Sequence, residues 1–220
     1  MLLYTAEDLR ARAIAAHRAG LQVMIEGVGD RGIDFALDAI AAALAAWPAA
    51  DHRMRVEHCC HVTPAILARL QRLGAVASSA TGFMYELGDA YLANRGEAAM
   101  RHMWPHRSLI DAGVPAPGHS DSAVCTANPW TAMWAMVNRR SATGASLDGA
   151  EAVTPLEALR AYTTLGAWSG FEEAQKGSLE IGKLADIAVL TRDPLEIDPG
   201  DLRSVQSAMT FVGGIERFRA

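Results

Sequence analysis

Short apolar runs alternate with amphipathic helical patterns along most of this chain, and that alternation restricts the available folds more than any other feature. Strand, helix and strand at this spacing call for parallel strands joined by right-handed crossovers, so the sequence predicts an α/β protein. Thr5 reads as an N-cap with Asp8 at N3, and Leu9, Ala13 and Ala16 share a helical face that ends at Gly20. A buried strand is expected over Leu21–Ile25, then a Gly27/Gly29 loop and a helix from about Ile33 to Trp47, stopped by Pro48. The unit repeats with a strand over Met54–Glu57, a helix opened by Thr63-Pro64 and closed by Gly74, and a third strand over Ala75–Ser79. Residues 80–101 are expected to form a mobile active-site loop or short helices. A helix from about His106 to Ala112 follows and ends at Gly113, and Val114–Gly118 leads into a fourth strand. Asn128-Pro129 and Thr154-Pro155 each start a further helix, the last ending near Gly170. About four βα units result, where a closed (β/α)8 barrel has eight.

Bulk composition narrows the function. Hydrophobic residues make up 50% of the 220, enough for a sizeable core. A formal net charge of −5 gives no basic footprint for nucleic acid. No apolar run approaches the roughly 20 residues that span a bilayer, so no membrane segment is expected. Glu7 and Asp8 break any basic-then-apolar leader pattern. Of the 3 cysteines, Cys59 and Cys60 are adjacent, a poor disulfide framework; the expected compartment is the reducing cytoplasm.

Chemistry is expected at strand ends, where α/β barrels present side chains to the active-site mouth. Asp121, in Gly118-His119-Ser120-Asp121-Ser122, could bind a divalent metal and take a proton from an attacking water, or could simply cap its own loop. His58 follows Arg55-Val56-Glu57 and reads either as an imidazole metal ligand or as a hydrogen-bonded structural residue. Glu26 ends the first strand in the equivalent position, as a metal donor through oxygen or as the salt-bridge partner of Arg31. Glu57-His58-Cys59-Cys60-His61 resembles a metal knuckle but has no second Cys/His pair, so Cys59 and Cys60 read as packing residues and His61 as a loop residue. Gly27-Val28-Gly29-Asp30-Arg31 lacks the Lys-Ser/Thr ending of a phosphate loop. A doubly wound binding domain, with a ligand at that glycine loop, stays open as a separate class.

Past Gly170 the composition turns to glycine-marked turns and short apolar runs. Lys176–Leu190 carries two of those turns, a Leu184-Ala185-Asp186 corner and the run Ile187–Leu190, read as hairpin-like punctuation. With Gly20-Leu21-Gln22-Val23, Gly29-Asp30-Arg31, Arg55–His58, Asp111–Val114, Ser120–Ser122 and Pro155–Thr163, this stretch resembles the amidohydrolase superfamily, in its amidohydrolase-3 branch related to N-substituted formamide deformylases.

That resemblance implies a TIM-type barrel enzyme that uses one or two divalent metals, zinc first, to hydrolyse a non-peptide carbon–nitrogen bond of a small-molecule substrate. It makes Asp121 the metal-associated general base and His58 a metal ligand or a group that polarises the substrate. The family's ligand at the Glu26 position is His, so a carboxylate there alters site charge and softness. The paired His-x-His and the fourth-strand ligand of the family have no counterpart in this sequence. The expected architecture is therefore the C-terminal half of a (β/α)8 barrel over residues 1–170, plus the C-terminal strands of a small β-sandwich domain over 171–220. Such a half is expected as a fragment of a longer product, as a half-barrel completed by a homo-oligomer or a complementary N-terminal half, or as a non-catalytic remnant.

Overall fold

The structure is a computed structural model and describes residues 3–220. Helix α1 (Ala6–Arg18) starts where the Thr5 hydroxyl accepts the Asp8 N–H at 3.1 Å. Strand β1 (Met24–Gly27), helix α2 (Asp30–Ala46), strand β2 (Arg55–His58), helix α3 (Pro64–Leu73) and strand β3 (Val76–Ser79) then give two consecutive crossovers. The three strands form one parallel sheet in the order β1-β2-β3, with Glu26 opposite Glu57, Gly27 opposite His58 and His58 opposite Ser79. Caps fall where the residues require them: Thr63 caps α3 with Pro64 in its first turn, and Gly74 ends it at φ 63°.

Two expected boundaries move. β1 lies later than Leu21–Ile25, because the ladder begins only where Met24 meets Arg55. Gln22 instead donates its side-chain amide to the carbonyls of Arg53 and Ser169 at 2.8 and 2.7 Å. α2 begins at Asp30 rather than Ile33, on a Gly29 N-cap, so the glycine loop shrinks to Val28-Gly29.

The sheet's two faces differ. Ile25, Gly27 and Val56 turn towards α1, α2 and α3, where Ile33, Leu37, Ile40, Ile66 and Leu70 bury a continuous apolar layer. Gly27 is required there: a Cβ would lie 2.9 Å from Val56 Cγ1 and 3.1 Å from the Ile33 backbone. On the opposite face Met24 and Glu26 are solvent-exposed, and the Arg55 guanidinium donates to the Glu57 carboxylate.

Residues 80–101 resolve into short helices α4 (Gly82–Glu86), α5 (Gly88–Arg95) and α6 (Glu97–Met100), followed by α7 (His106–Asp111). They share a second core with α8 (Pro129–Asn138) and α9 (Pro155–Tyr162). The helix expected to run on to Gly170 breaks at Thr163 (φ −124°, ψ −88°), and α10 (Thr164–Ser169) follows. The expected fourth strand is reduced to one bridge, Ser79 to Gly118. Pro115 and Pro117 accept from Ala77 and Ser79 through their carbonyls but have no N–H to return, so the ladder cannot be completed.

The C-terminal sheet is antiparallel, built from β4 (Ile187–Leu190), β5 (Ser207–Val212) and β6 (Ile215–Arg219) in that order. The hairpin lies at Gly213-Gly214 between β5 and β6, not within Lys176–Leu190, where only β4 is a strand. A 3-10 turn over Pro199–Ser204 anchors this sheet: Leu202 is buried in the second core and Trp134 Nε1 donates to the Gly200 carbonyl at 2.9 Å. At the other end Arg53 lies between the Trp168 and Phe171 rings, 4.5 and 4.1 Å from their centroids, and pairs with Asp51 and Glu173 at 2.8 Å each.

His106 gives this core a pH signature. It is 1% exposed, its Nε2 has no partner among the described residues, and burial, reinforced by the nearby Arg139 charge, pushes its imidazole down to about 4. The unfolded chain takes up a proton near pH 6.5 that the folded chain refuses until about 4, so stability falls as pH drops through that window, by up to roughly 3 kcal/mol. The urea midpoint should fall between pH 7 and pH 4.5, and fall less in His106→Gln; equal falls in the two proteins would refute this account.

Candidate active site

The parallel register sets Glu26, His58 and the segment after Gly118 at one end of the sheet. Glu26 Oε1 lies 3.5 Å from His58 Nε2, so the carboxylate faces His58 and not Arg31. His58 adopts φ 68° as the last residue of β2, and its Nδ1 is buried without a hydrogen-bond partner among the described residues. Phe83, on α4, stacks on the His58 ring at 5.6 Å between centroids and 18° between planes. That contact shields one face of the imidazole from water.

The fourth segment delivers His119 and Asp121. The His119 N–H donates to the Ser79 carbonyl at 3.0 Å, which fixes the strand end. Its ring lies 5.3 Å from that of His58, and its Nε2 is 3.9 Å from Glu57 Oε2, beyond hydrogen-bond reach. Nε2 is therefore a second buried imidazole nitrogen without a partner. Burial holds His119 below the ordinary imidazole value; the Glu57 and Asp121 carboxylates pull the other way, and His58 adds to the burial effect. Asp121 sits at φ 54° on the following turn, closed by Val124 N–H donating to its carbonyl. Among the described residues nothing donates to the Asp121 carboxylate, so its side chain is not the loop cap that its position also allowed.

The neighbouring sulfurs do not join this group. Burial pushes Cys60 up to about 12 and moves Cys59 in the same direction, so neither is a thiolate near neutrality. Both are fully buried.

Donor types suited to a divalent metal are thus present. Two donors bonded at roughly 2.1 Å on a tetrahedral ion lie about 3.4 Å apart, close to the His58–Glu26 separation of 3.5 Å. A catalytic zinc usually takes three protein ligands. Among the described residues no three His, Cys, Asp or Glu side chains gather around one point. The residues fit one edge of a metal site, not a whole one.

Sequence reasoning passed over three residues here. His119 carried the same signal as His58, an imidazole directly after an apolar strand. Glu57 could have been assigned to the open face by its alternation with Val56. Phe83 had no local signal, because only the fold of α4 brings it onto His58.

Fold and site together define a mixed α/β protein whose polar chemistry is collected at the strand ends of a parallel sheet. The chain belongs to the amidohydrolase family, whose model matches residues 2–216. It is 34% identical over 216 residues to the N-substituted formamide deformylase of Arthrobacter pascens, covering 98% of this chain and 40% of that protein. It is 30% identical over 213 residues to Protein LONG AFTER FAR-RED 3 of Arabidopsis thaliana, covering 94% and 36%. Among solved structures, an uncharacterized metal-dependent hydrolase from Pyrococcus horikoshii superposes with TM-score 0.77 at 27% identity, over 91% of this chain and 40% of that one. The chain therefore spans 40% or less of the length of these relatives.

The strand end leaves no room at Gly118. An added Cβ would lie 2.7 Å from Tyr162 Cε2 and 2.9 Å from Thr81 Oγ1. Gly118→Ala should cost roughly 1–3 kcal/mol in urea unfolding. Gly149→Ala, whose methyl would meet nothing within 4 Å, should stay within about 0.5 kcal/mol. Equal stability of the two variants would contradict the tight packing under the site.

Proposed function

We propose that this chain carries the strand-end chemistry of a metal-dependent hydrolase acting on a non-peptide carbon–nitrogen bond of a small molecule. The observation that supports it most is the placement of Glu26 against His58 at 3.5 Å, at the end of the sheet that also carries Asp121. The deformylase relative supports the bond class. On this reading His58 and Glu26 are donors to a divalent metal, zinc first, which would supply Lewis acidity to the site. Asp121 is the base: it takes the proton of the attacking water as the new carbon–oxygen bond forms, then returns it to the nitrogen as the carbon–nitrogen bond breaks. Phe83 keeps water off one face of His58.

The remaining donors are assigned to a segment corresponding to the rest of the relatives' length, as a complementary N-terminal half or a second copy of this chain. The exposed Met24 and Glu26 face, which a closed barrel would turn inward, supports that assignment. In it, residues 1–170 are the C-terminal half of a (β/α)8 barrel and 171–220 part of a small β domain. None of the described helices is long and apolar enough to cross a membrane; free Cys59, Cys60 and Cys125 fit a reducing, cytoplasmic setting.

Zinc uptake by the purified chain tests this reading. His58→Ala and Glu26→Gln should each weaken zinc binding in equilibrium dialysis by at least roughly tenfold, the lower end of what disturbing a metal's ligand shell costs, with Asp121→Ala closer to wild type. No uptake by the wild-type chain, or equal uptake by all four proteins, would contradict it.

A further inference from the structure

Beneath the turn that carries Asp121 lies a buried hydroxyl pair. The Tyr162 hydroxyl, at the end of α9, is 2.6 Å from Thr81 Oγ1. Thr81 is fully buried, and its hydroxyl donates to the His119 carbonyl at 3.4 Å. Thr81 has a single hydroxyl hydrogen, so with that hydrogen on His119 the Tyr162 hydroxyl must be the donor to Thr81. Burial pushes Tyr162 up to about 12, so it keeps its proton across the neutral range. The His119 carbonyl also accepts the Gly82 N–H at 3.1 Å, and the Gly118 N–H reaches the Ala161 carbonyl at 3.2 Å. Space around these bonds is closed: a Cβ on Gly82 would lie 3.0 Å from Ser120 Cα.

We propose that Tyr162, acting through Thr81, is a positioning residue that fixes the strand end bearing His119 and Asp121. Its functional meaning rests on the reading of Asp121 as the base; its geometry does not. The relay runs from the Tyr162 O–H to Thr81 Oγ1, and from the Thr81 O–H to the His119 carbonyl. It holds the peptide immediately before Ser120-Asp121, on a turn whose own carboxylate receives no hydrogen bond among the described residues. Removing either hydroxyl loosens the hold on that peptide, leaving the Gly82 N–H as its remaining donor when Thr81 loses its hydroxyl, without changing the apolar packing, because Phe and Val nearly match Tyr and Thr in shape.

The test is amide hydrogen exchange and imidazole NMR on Tyr162→Phe and Thr81→Val, with Thr81→Ser as the conservative rescue. The Gly82 and His119 amides should exchange roughly tenfold faster in the first two variants. The Ala77 amide, bonded to Pro115 at the start of the same segment, should not change. The His119 ring cross-peaks should move, and Thr81→Ser should restore both readouts. Equal acceleration of Gly82, His119 and Ala77 would show general destabilisation and overturn the proposal; so would unchanged exchange with unmoved His119 cross-peaks. Neither metal nor substrate enters the measurement, so failure of the metal reading and failure of this one are separately visible.

Discussion

Parallel pairing of β1, β2 and β3 decides which side chains can meet. Because Gly27 sits opposite His58 and His58 opposite Ser79, the chain leaves all three strands at one end and enters the next element there. A slip of one residue would send Glu57 into the helix-facing core and Val56 to the open face. The apolar layer of Ile33, Leu37, Ile66 and Leu70 prevents that slip, since it accepts Val56 and rejects a carboxylate. Strand-end chemistry is thus a consequence of core packing on the far side of the sheet.

The cost of this arrangement is visible in the imidazoles. His58 Nδ1 and His119 Nε2 are both buried without partners, although a lost hydrogen bond to a buried polar atom costs about 1–3 kcal/mol. His52, by contrast, engages both ring nitrogens, with the Leu73 carbonyl and the Met54 N–H at 2.9 Å each. Glu57 could have satisfied His119 but is held by Arg55. Those two unsatisfied nitrogens lie in neighbouring rings, with Glu26 beside one and Glu57 beside the other.

Much of this was legible in the sequence. Thr5, Thr63, Asn128 and Thr154 fixed four helix starts, because a cap is a local hydrogen bond between a side chain and a nearby N–H. Of the candidate site residues, His58 does end β2, whereas Glu26 precedes the last residue of β1 and Asp121 lies on the turn after a segment that makes one bridge. What could not be read depends on partners distant in the chain. The start of β1 is set by Arg55 across the sheet, and the fourth strand fails because Pro115 and Pro117 cannot donate to β3. Lys176–Leu190 looked like a hairpin because its glycines mark turns, at φ 92° and 97° for Gly177 and Gly182; only pairing with β5 reveals that one strand lies there. Pairing of Glu26 with His58 rather than Arg31 is a tertiary choice of the same kind.

Anomalous diffraction at the zinc edge, from crystals of this chain grown with zinc, addresses the metal directly. A peak within roughly 2.0–2.2 Å of both His58 Nε2 and a Glu26 carboxylate oxygen is the expected result, with the Asp121 carboxylate turned towards it. Zinc bound only elsewhere, or His58 and Glu26 paired directly with no peak between them, would contradict the account.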